Sequence, residues 1–519
     1  FRQNYKNTLQ ILTFVSYIFS IIFLTLRKII ILMKKLSILF LSLISFTLFS
    51  QFVSPGTGIT YNLASLSTAA PTVVVNNGTD YQMTANVTIS VGDKLLLDEN
   101  TTLKIDGGIQ LTIAGTYDTT ATNFLITATT PATIFKGIRF EDGSFATFKN
   151  TILEYGGGIQ VLTGNFLMDN CTVRFFKSGL VTGAAVNFSK GNPVVKNSTF
   201  LSNDLPAVAS GANQSVALEF SNNNLSGNTK LNSNRPQINM GPSGTGITKI
   251  LNNTIIGDRT LTKVGGISVS SLLGVENHVL IDGNTVTDNR YGITCAGNAS
   301  SGTISNNILT NNNTENIPAS GGSGISLSGS GAVGLGFKIE KNQIRGHLWG
   351  ITLITTASAD LGGGSLGSVG QNIFKNNGNG GQLYALFNNT PNAVSATNNC
   401  WREGELSDDT MVENVISHKV DDAALGLVNF KPYLCAAPLA TNNASTLLNK
   451  IYPNPSHGTF SFVAENAGNI KVSDVSGKLV YSGNVAKGSN VISLKATSGV
   501  YFLVYQNENY KQSTKLIIK

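Results

Sequence analysis

Seven side chains in this sequence have the types that hold or cleave a sugar: Asp258, Arg259, Asp288, Arg290, Tyr291, His347 and Trp349. They share one place in a recurring phrase, which reads Asn-x-apolar, a short polar stretch, then Gly-apolar. Its cleanest copy is Asn284-Thr285-Val286-Thr287-Asp288-Asn289-Arg290-Tyr291-Gly292-Ile293. Arg259 and Arg290 hold the same offset from the apolar residue in consecutive copies, and Asp258 and Asp288 lie beside them as counter-charges. Tyr291 and Trp349 share the next offset, with His347 close by. Arginine grips a carboxylate bidentately, and aromatic rings present an apolar face with a polar tip. If the copies stack, two guanidiniums about 4.8 Å apart and two rings lie on one edge. That edge suits a uronate-bearing glycan, bound or cleaved. The plainer alternative is a set of solvated turns in which the residue before Gly packs coil against coil.

The elements that must position these residues follow from the period. The apolar anchors are Ile152, Val173, Phe200, Leu225, Ile255, Val286, Leu309, Ile344, Phe374 and Trp401, about 28 residues apart on average, which signals stacked supersecondary units. Apolar groups such as Ile152-Leu153, Ile255-Ile256 and Ile351-Thr352-Leu353, bounded by Gly and Asn, read as short strands. Asn tolerates left-handed backbone angles and can turn a corner. Stacked Asn side chains can also ladder. Gly158, Gly179, Gly266, Gly292, Gly324 and Gly350, each before Ile or Leu, are expected to form a second corner. The coils lengthen after Ile255 and Leu309, where a site would be built from the longer loops.

This pattern resembles the right-handed parallel β-helix of the pectate-lyase-like superfamily, over residues 72–435. Leu95-Leu96-Leu97 through Leu103-Lys104-Ile105, then Gly115, resembles the opening coils. Asn398-Asn399-Cys400-Trp401 and Gly426 to Leu434 resemble the closing segment, 398–435, with 51–71 as a lead-in. The resemblance implies an all-β solenoid and raises polysaccharide hydrolase and lyase activity. The hydrolases of that superfamily carry Asn-Thr-Asp, Asp-Asp, Gly-His-Gly and Arg-x-Lys in order, and none stands at a suitable position here. Asp408-Asp409 and Asp421-Asp422 lie past the last regular coil. The lyases use a Lys or Arg base and often Ca²⁺ on clustered Asp, a density this chain lacks; Ca²⁺ is expected only if it is a lyase, and no other cofactor. The reading is therefore glycan binding or adhesion without catalysis, with a lyase or hydrolase of divergent site as runner-up. An ice-binding face would need a Thr-x-Thr row or its equivalent on successive coils; Thr127-Ala128-Thr129 and Thr352 to Thr355 look isolated.

The last residues change character. Pro453-Asn454-Pro455 and Gly458 precede alternating strands, Ser476-Gly477-Lys478 reads as a hairpin turn, and Gly499-Val500-Tyr501 opens another strand. Residues 447–519 resemble the type A sorting domain of the type IX (Por) secretion system, after a linker at 436–446. That resemblance implies a small β-sandwich, a Bacteroidetes-type bacterium, and the type IX machinery as partner. It also implies passage through the periplasm, then release or attachment at the outer surface. The charged start Met33-Lys34-Lys35 and the apolar run to Phe49 read as a signal peptide over 33–50. Residues 1–32, with a shorter apolar stretch broken by Arg27-Lys28, read as translated upstream sequence.

The net charge of +7 invites a nucleic-acid reading, but its distribution removes it. Residues 1–50 hold six Lys and Arg and no acid, and 447–519 hold eight Lys against three acids. The passenger between them is mildly acidic, without the basic footprint that phosphate binding needs. Export permits disulfides, and Cys400 and Cys435 bracket the closing segment as an expected pair. Cys171 and Cys295 fall in strand patterns and read as buried thiols. No Cys-x-x-Cys or His-x-x-x-His points to a zinc site.

Overall fold

The computed structural model describes residues 13–31, 33–34, 51–178, 183–329, 336–434, 448–464, 466–507 and 511–519. Most of the expected signal segment, the 436–446 linker, Gly179-Leu180 and Cys435 lie outside the described residues. The chain divides into two units, residues 1–435 and 436–519.

Short strands in the first unit alternate buried and half-exposed residues, as in Val87–Ile89 and Lys94–Leu97. Period-two alternation can bury only one face of a strand, so each strand must close over a core. Three long sheets do this, with 14, 13 and 14 strands, and almost every pairing is parallel. Each coil contributes one strand to each sheet. The 13-stranded sheet holds the anchors and is called the anchor sheet below. The 14-stranded sheet that takes the Gly-apolar strands is the glycine sheet. The other 14-stranded sheet is the third sheet. The first unit is thus a parallel β-helix. It starts earlier than the sequence suggests: Phe52–Val53 and Thr60–Tyr61 already pair into the stack, so the 51–71 lead-in is its first turn. A seven-residue helix, Leu63–Ala69, buries Leu63 and Leu66 against the first coils.

Register corrects the phrase by one residue at its first copy. In the anchor sheet Leu153, not Ile152, stacks on Val173. The column then continues through Phe200, Leu225, Ile255, Val286, Leu309, Ile344 and Phe374. Trp401 closes it with its ring parallel to Phe374, 5.0 Å between centroids. In the coil holding Val173, the glycine-sheet column takes Val186.

The asparagines do two jobs. Asn252, Asn306 and Asn398 sit in left-handed backbone at the corner, with φ of 54°, 55° and 59°. The next residue points its side chain inward. Asn223, Asn253, Asn284, Asn307, Asn342, Asn372 and Asn399 form a buried ladder there. From Asn253 onward each Oδ1 accepts the backbone N–H and the Nδ2–H of the Asn one coil earlier, as Asn307 does from Asn284 at 2.9 Å and 2.9 Å, while Asn223 Oδ1 accepts the Ser198 N–H. Each Nδ2 also donates to a carbonyl, as Asn307 does to Ile281 at 3.0 Å. Buried amides are stable in a core only when their partners are present, and this ladder supplies them from coil to coil.

Of the glycines before the second apolar residue, Gly158 has positive φ, at 121°, but Gly266, Gly292, Gly324 and Gly350 do not, so in those coils they are not the corner. Corner backbone lies earlier, at Asp288, Asn311, Gly346 and Asn376, all with positive φ. Gly292 and Gly350 are there for space: a Cβ would stand 2.4 Å from the Gly324 carbonyl oxygen and 2.2 Å from that of Ala385.

Thr13–Ile31 forms one 19-residue helix, long and apolar enough to cross a membrane by length and composition. It runs through Arg27-Lys28 without a break, so the apolar stretch is longer than it reads. The second unit has a three-stranded and a four-stranded antiparallel sheet. Phe460 and Phe462 of one share a core with Ile470, Val472 and Leu503 of the other.

Candidate functional site

The loops between the anchor sheet and the glycine sheet decide what becomes of the seven candidate residues. Asp258 turns inward on its own loop, accepting from the Thr260 hydroxyl at 2.6 Å and its backbone N–H at 2.9 Å. Those bonds, the hydroxyl first, hold its carboxyl below the usual range. Arg259 pairs with Asp288 at 2.8 Å, then donates to the Asn311 carbonyl and to Asn313 Oδ1 two coils on. Arg290 goes elsewhere. Its Nε meets Glu315 at 2.5 Å, where both side chains are largely buried, and its terminal nitrogens donate to Asn234 and to the Ser320 carbonyl. The two guanidiniums therefore do not stack. Each clamps a loop.

His347 also leaves the expected edge. A second buried ladder runs through this corner, from Asn203 to Asn228 to Gln237 to Asn289 to Asn312. Gln237 spans the coil whose own residues, 257–264, loop outward. His347 takes the next rung, 1 % exposed. Its Nε2 accepts from Asn312 at 3.1 Å, and its Nδ1–H donates to Asn377 Oδ1 at 3.0 Å. Asn377 Oδ1 also accepts the His347 backbone N–H. Asn312 Oδ1 is occupied by Asn289, which leaves only an Nδ2–H to meet the imidazole. The ring is neutral, and burial pushes its pKa down to about 4 against the Asn377 bond, which raises it.

Tyr291 and Trp349 remain. Tyr291 lies flat over Gly265, where a Cβ would meet its ring carbon at 2.1 Å. Burial pushes its phenol up to about 12. Trp349 stacks on Phe387, 4.9 Å and 24° apart, and packs on Tyr384 at 4.6 Å. Its indole N–H donates to the Pro318 carbonyl at 3.0 Å. The loop after Leu309 supplies Pro318 to Gly321 as one wall, fastened by Arg290 and Glu315. The outer face of the glycine sheet supplies the floor. Together they shape a groove of about 710 Å³, reaching from Tyr291 to Phe387 and Asn389.

Tyr384 and Phe387 escape the sequence reading because their copy carries Ala385 where the phrase has Gly. Tyr384-Ala385-Leu386 occupies the place of Trp349-Gly350-Ile351, with Ile351 beside Leu386. The floor also contains a row that looks isolated in sequence. Ser268, Thr294, Ser326, Thr352, Phe387 and Ser417 are neighbours on successive strands. Phe387 and the raised 318–321 wall break the flatness that an ice-binding face requires.

In the second unit the motif residues hold the turn and the final strand. Asn454 pairs through both side-chain atoms with the last strand, donating to the Lys515 carbonyl and accepting from the Ile517 N–H, each at 2.8 Å. Pro453 and Pro455 flank it, and Gly458 turns the chain at φ 93°. Gly477 sits at φ 86° in a loop whose Asp474 carboxylate caps Ser476 and Lys478. Tyr501, two residues after Gly499, anchors its hydroxyl on the Thr497 carbonyl at 2.8 Å.

This geometry agrees with the family comparison. Residues 450–519 are a secretion system C-terminal sorting domain. The sorting domain assigns the protein to type IX secretion, hence to release or attachment at the cell surface. Residues 319–404 match a family described only as a protein of unknown function, DUF1565. That stretch includes Trp349, Tyr384 and Phe387, so it covers most of the groove. Nothing among curated proteins or solved structures matches the chain. The Cys400–Cys435 pairing rests on a residue outside the described set; Cys400 itself is buried beside Ile373. Cys171 and Cys295 are buried free thiols whose pKa values burial pushes up to about 12.

Proposed function

We propose that the exported β-helix binds an extracellular glycan in the aromatic groove and does not cleave it. One observation carries the reading: Trp349 stacks on Phe387 and packs tilted against Tyr384, and the groove lined by Trp349 and Phe387 is bordered by hydroxyl and amide groups. Aromatic faces meet the apolar faces of sugar rings, while Ser, Thr and Asn reach their hydroxyls. The lining favours binding over chemistry. Among the described residues the lining contains no Asp, Glu, His, Lys or Arg, whereas glycoside hydrolysis needs two carboxylates across the bond. Proton abstraction by a lyase needs a base within hydrogen-bond reach.

The experiment incubates the secreted protein with a panel of polysaccharides. It records retention, new reducing ends and ultraviolet absorbance from unsaturated product. Retention without product is expected. Product formation that survives purification would overturn the binding-only reading in favour of a lyase or hydrolase.

A further inference from the structure

We propose that the groove takes a neutral glycan chain, lying along the solenoid axis, and rejects uronate polymers. This rests on the glycan reading above and narrows it. The sequence alone suggests the opposite, because two arginines share a register. In the fold both are committed. Arg259 is engaged by Asp288, Asn311 and Asn313, and it does not line the groove. Arg290 lies behind the wall, paired with Glu315. A carboxylate entering the groove would lose water and meet no cation, which is costly for any ion. A hydroxyl loses less and finds Ser326, Thr294 or Asn389.

The direction follows from the strands. Asn239, Ser268, Thr294, Ser326, Thr352, Phe387 and Ser417 are register neighbours, one residue per coil, with no charge among them, and Thr352 is buried with its hydroxyl against that of Ser323. Rungs are about 4.8 Å apart, so the row repeats its polar atoms along the axis. Four consecutive coils line the groove, from Tyr291 to Phe387. The Trp349 ring, three residues before Thr352 on the neighbouring strand, stacks on Phe387 of that row. The 318–321 wall flanks it and leaves the axial direction for an extended chain.

The test is affinity electrophoresis of the full protein. Gels contain a neutral polysaccharide (xyloglucan, galactomannan or mixed-linkage β-glucan) or a uronate polymer (polygalacturonate or alginate), at low and high salt. Retardation is expected in at least one neutral gel, unchanged by salt. Trp349→Ala should weaken it about tenfold, as loss of a central aromatic anchor does. Phe387→Ser should weaken it comparably. Serine already fills neighbouring places in that row, so this variant keeps the fold if Trp349→Ala does not. Arg259→Ala should bind like the parent. Stronger retardation by polygalacturonate or alginate, or a loss of retention in Arg259→Ala, overturns neutral selectivity while leaving glycan binding intact. Retardation in no gel overturns both.

Discussion

His347 provides a quantitative test of the buried ladder. Its pKa falls from 6.5 to about 4 in the folded protein. The unfolded chain therefore binds a proton more readily over that interval, and stability rises with pH across it. The stabilising effect of the neutral ring is complete above about pH 6.5 and is lost as pH falls toward about 4. At about pH 4.5 the loss is worth roughly 2–3 kcal/mol by linkage. His347→Asn removes the titrating group and restores the side chain found at Asn312 and Asn377, its neighbours in the column. The variant should stay close to the parent at neutral pH and keep more of its stability in acid. Urea unfolding followed by tryptophan fluorescence reads this directly, since Trp349 and Trp401 both lie in the solenoid. Parallel loss of stability in parent and variant between neutral pH and about pH 4.5 would refute a neutral buried imidazole, because that imidazole requires a divergence of roughly 2–3 kcal/mol.

Other consequences concern the ladder, the wall and the buried ion pair. Asn307→Ala leaves the Asn284 backbone N–H and the Ile281 carbonyl without their side-chain partner. It should cost about 2–6 kcal/mol, at about 1–3 per orphaned group, read as a lower urea midpoint. Arg290→Ala removes the ties to Glu315, Ser320 and Asn234, so limited proteolysis should cut within 313–322 before the rest of the solenoid opens. Arg345 holds the buried Glu403 at 2.6 Å and 2.9 Å, and its hydrogen bond lowers that carboxyl's pKa. Arg345→Ala strands the carboxylate and should cost about 3 kcal/mol, with Glu403→Gln in the same background recovering part of the thermal stability. Asn454→Ala should loosen the last strand of the sorting domain, seen as faster amide exchange at Ile517.

The fold was readable because its signals are local and repeated. Each copy of the phrase writes the same apolar column, and a stack of identical columns tolerates loops of any length between them. The sorting domain was readable for a similar reason: Pro453 to Gly458, Gly477 and Tyr501 meet backbone requirements within a few residues of themselves. The candidate site was less readable. Counting from the anchor puts Tyr291 and Trp349 on one edge, and both line the groove. It missed Tyr384 and Phe387, whose copy has an inserted hairpin, Gly378–Asn379 with Gln382–Leu383, and Ala385 for Gly. It also joined Arg259, Arg290 and His347 to the strip, which the tertiary structure separates.

Sequence by itself determined the solenoid, the buried asparagine column and the exported architecture, because strand period, corner chemistry and stacking depend on residues close in the chain or one repeat away. Only the tertiary structure decided which polar side chains face solvent. A long arginine reaches across two coils, and a loop such as 311–322 folds back to meet it, so equal offsets do not give equal surroundings. Asp288 and Glu315 neutralise the arginines that seemed to define the site. The proposed site rests instead on the rings of Trp349, Tyr384 and Phe387, brought together from neighbouring strands.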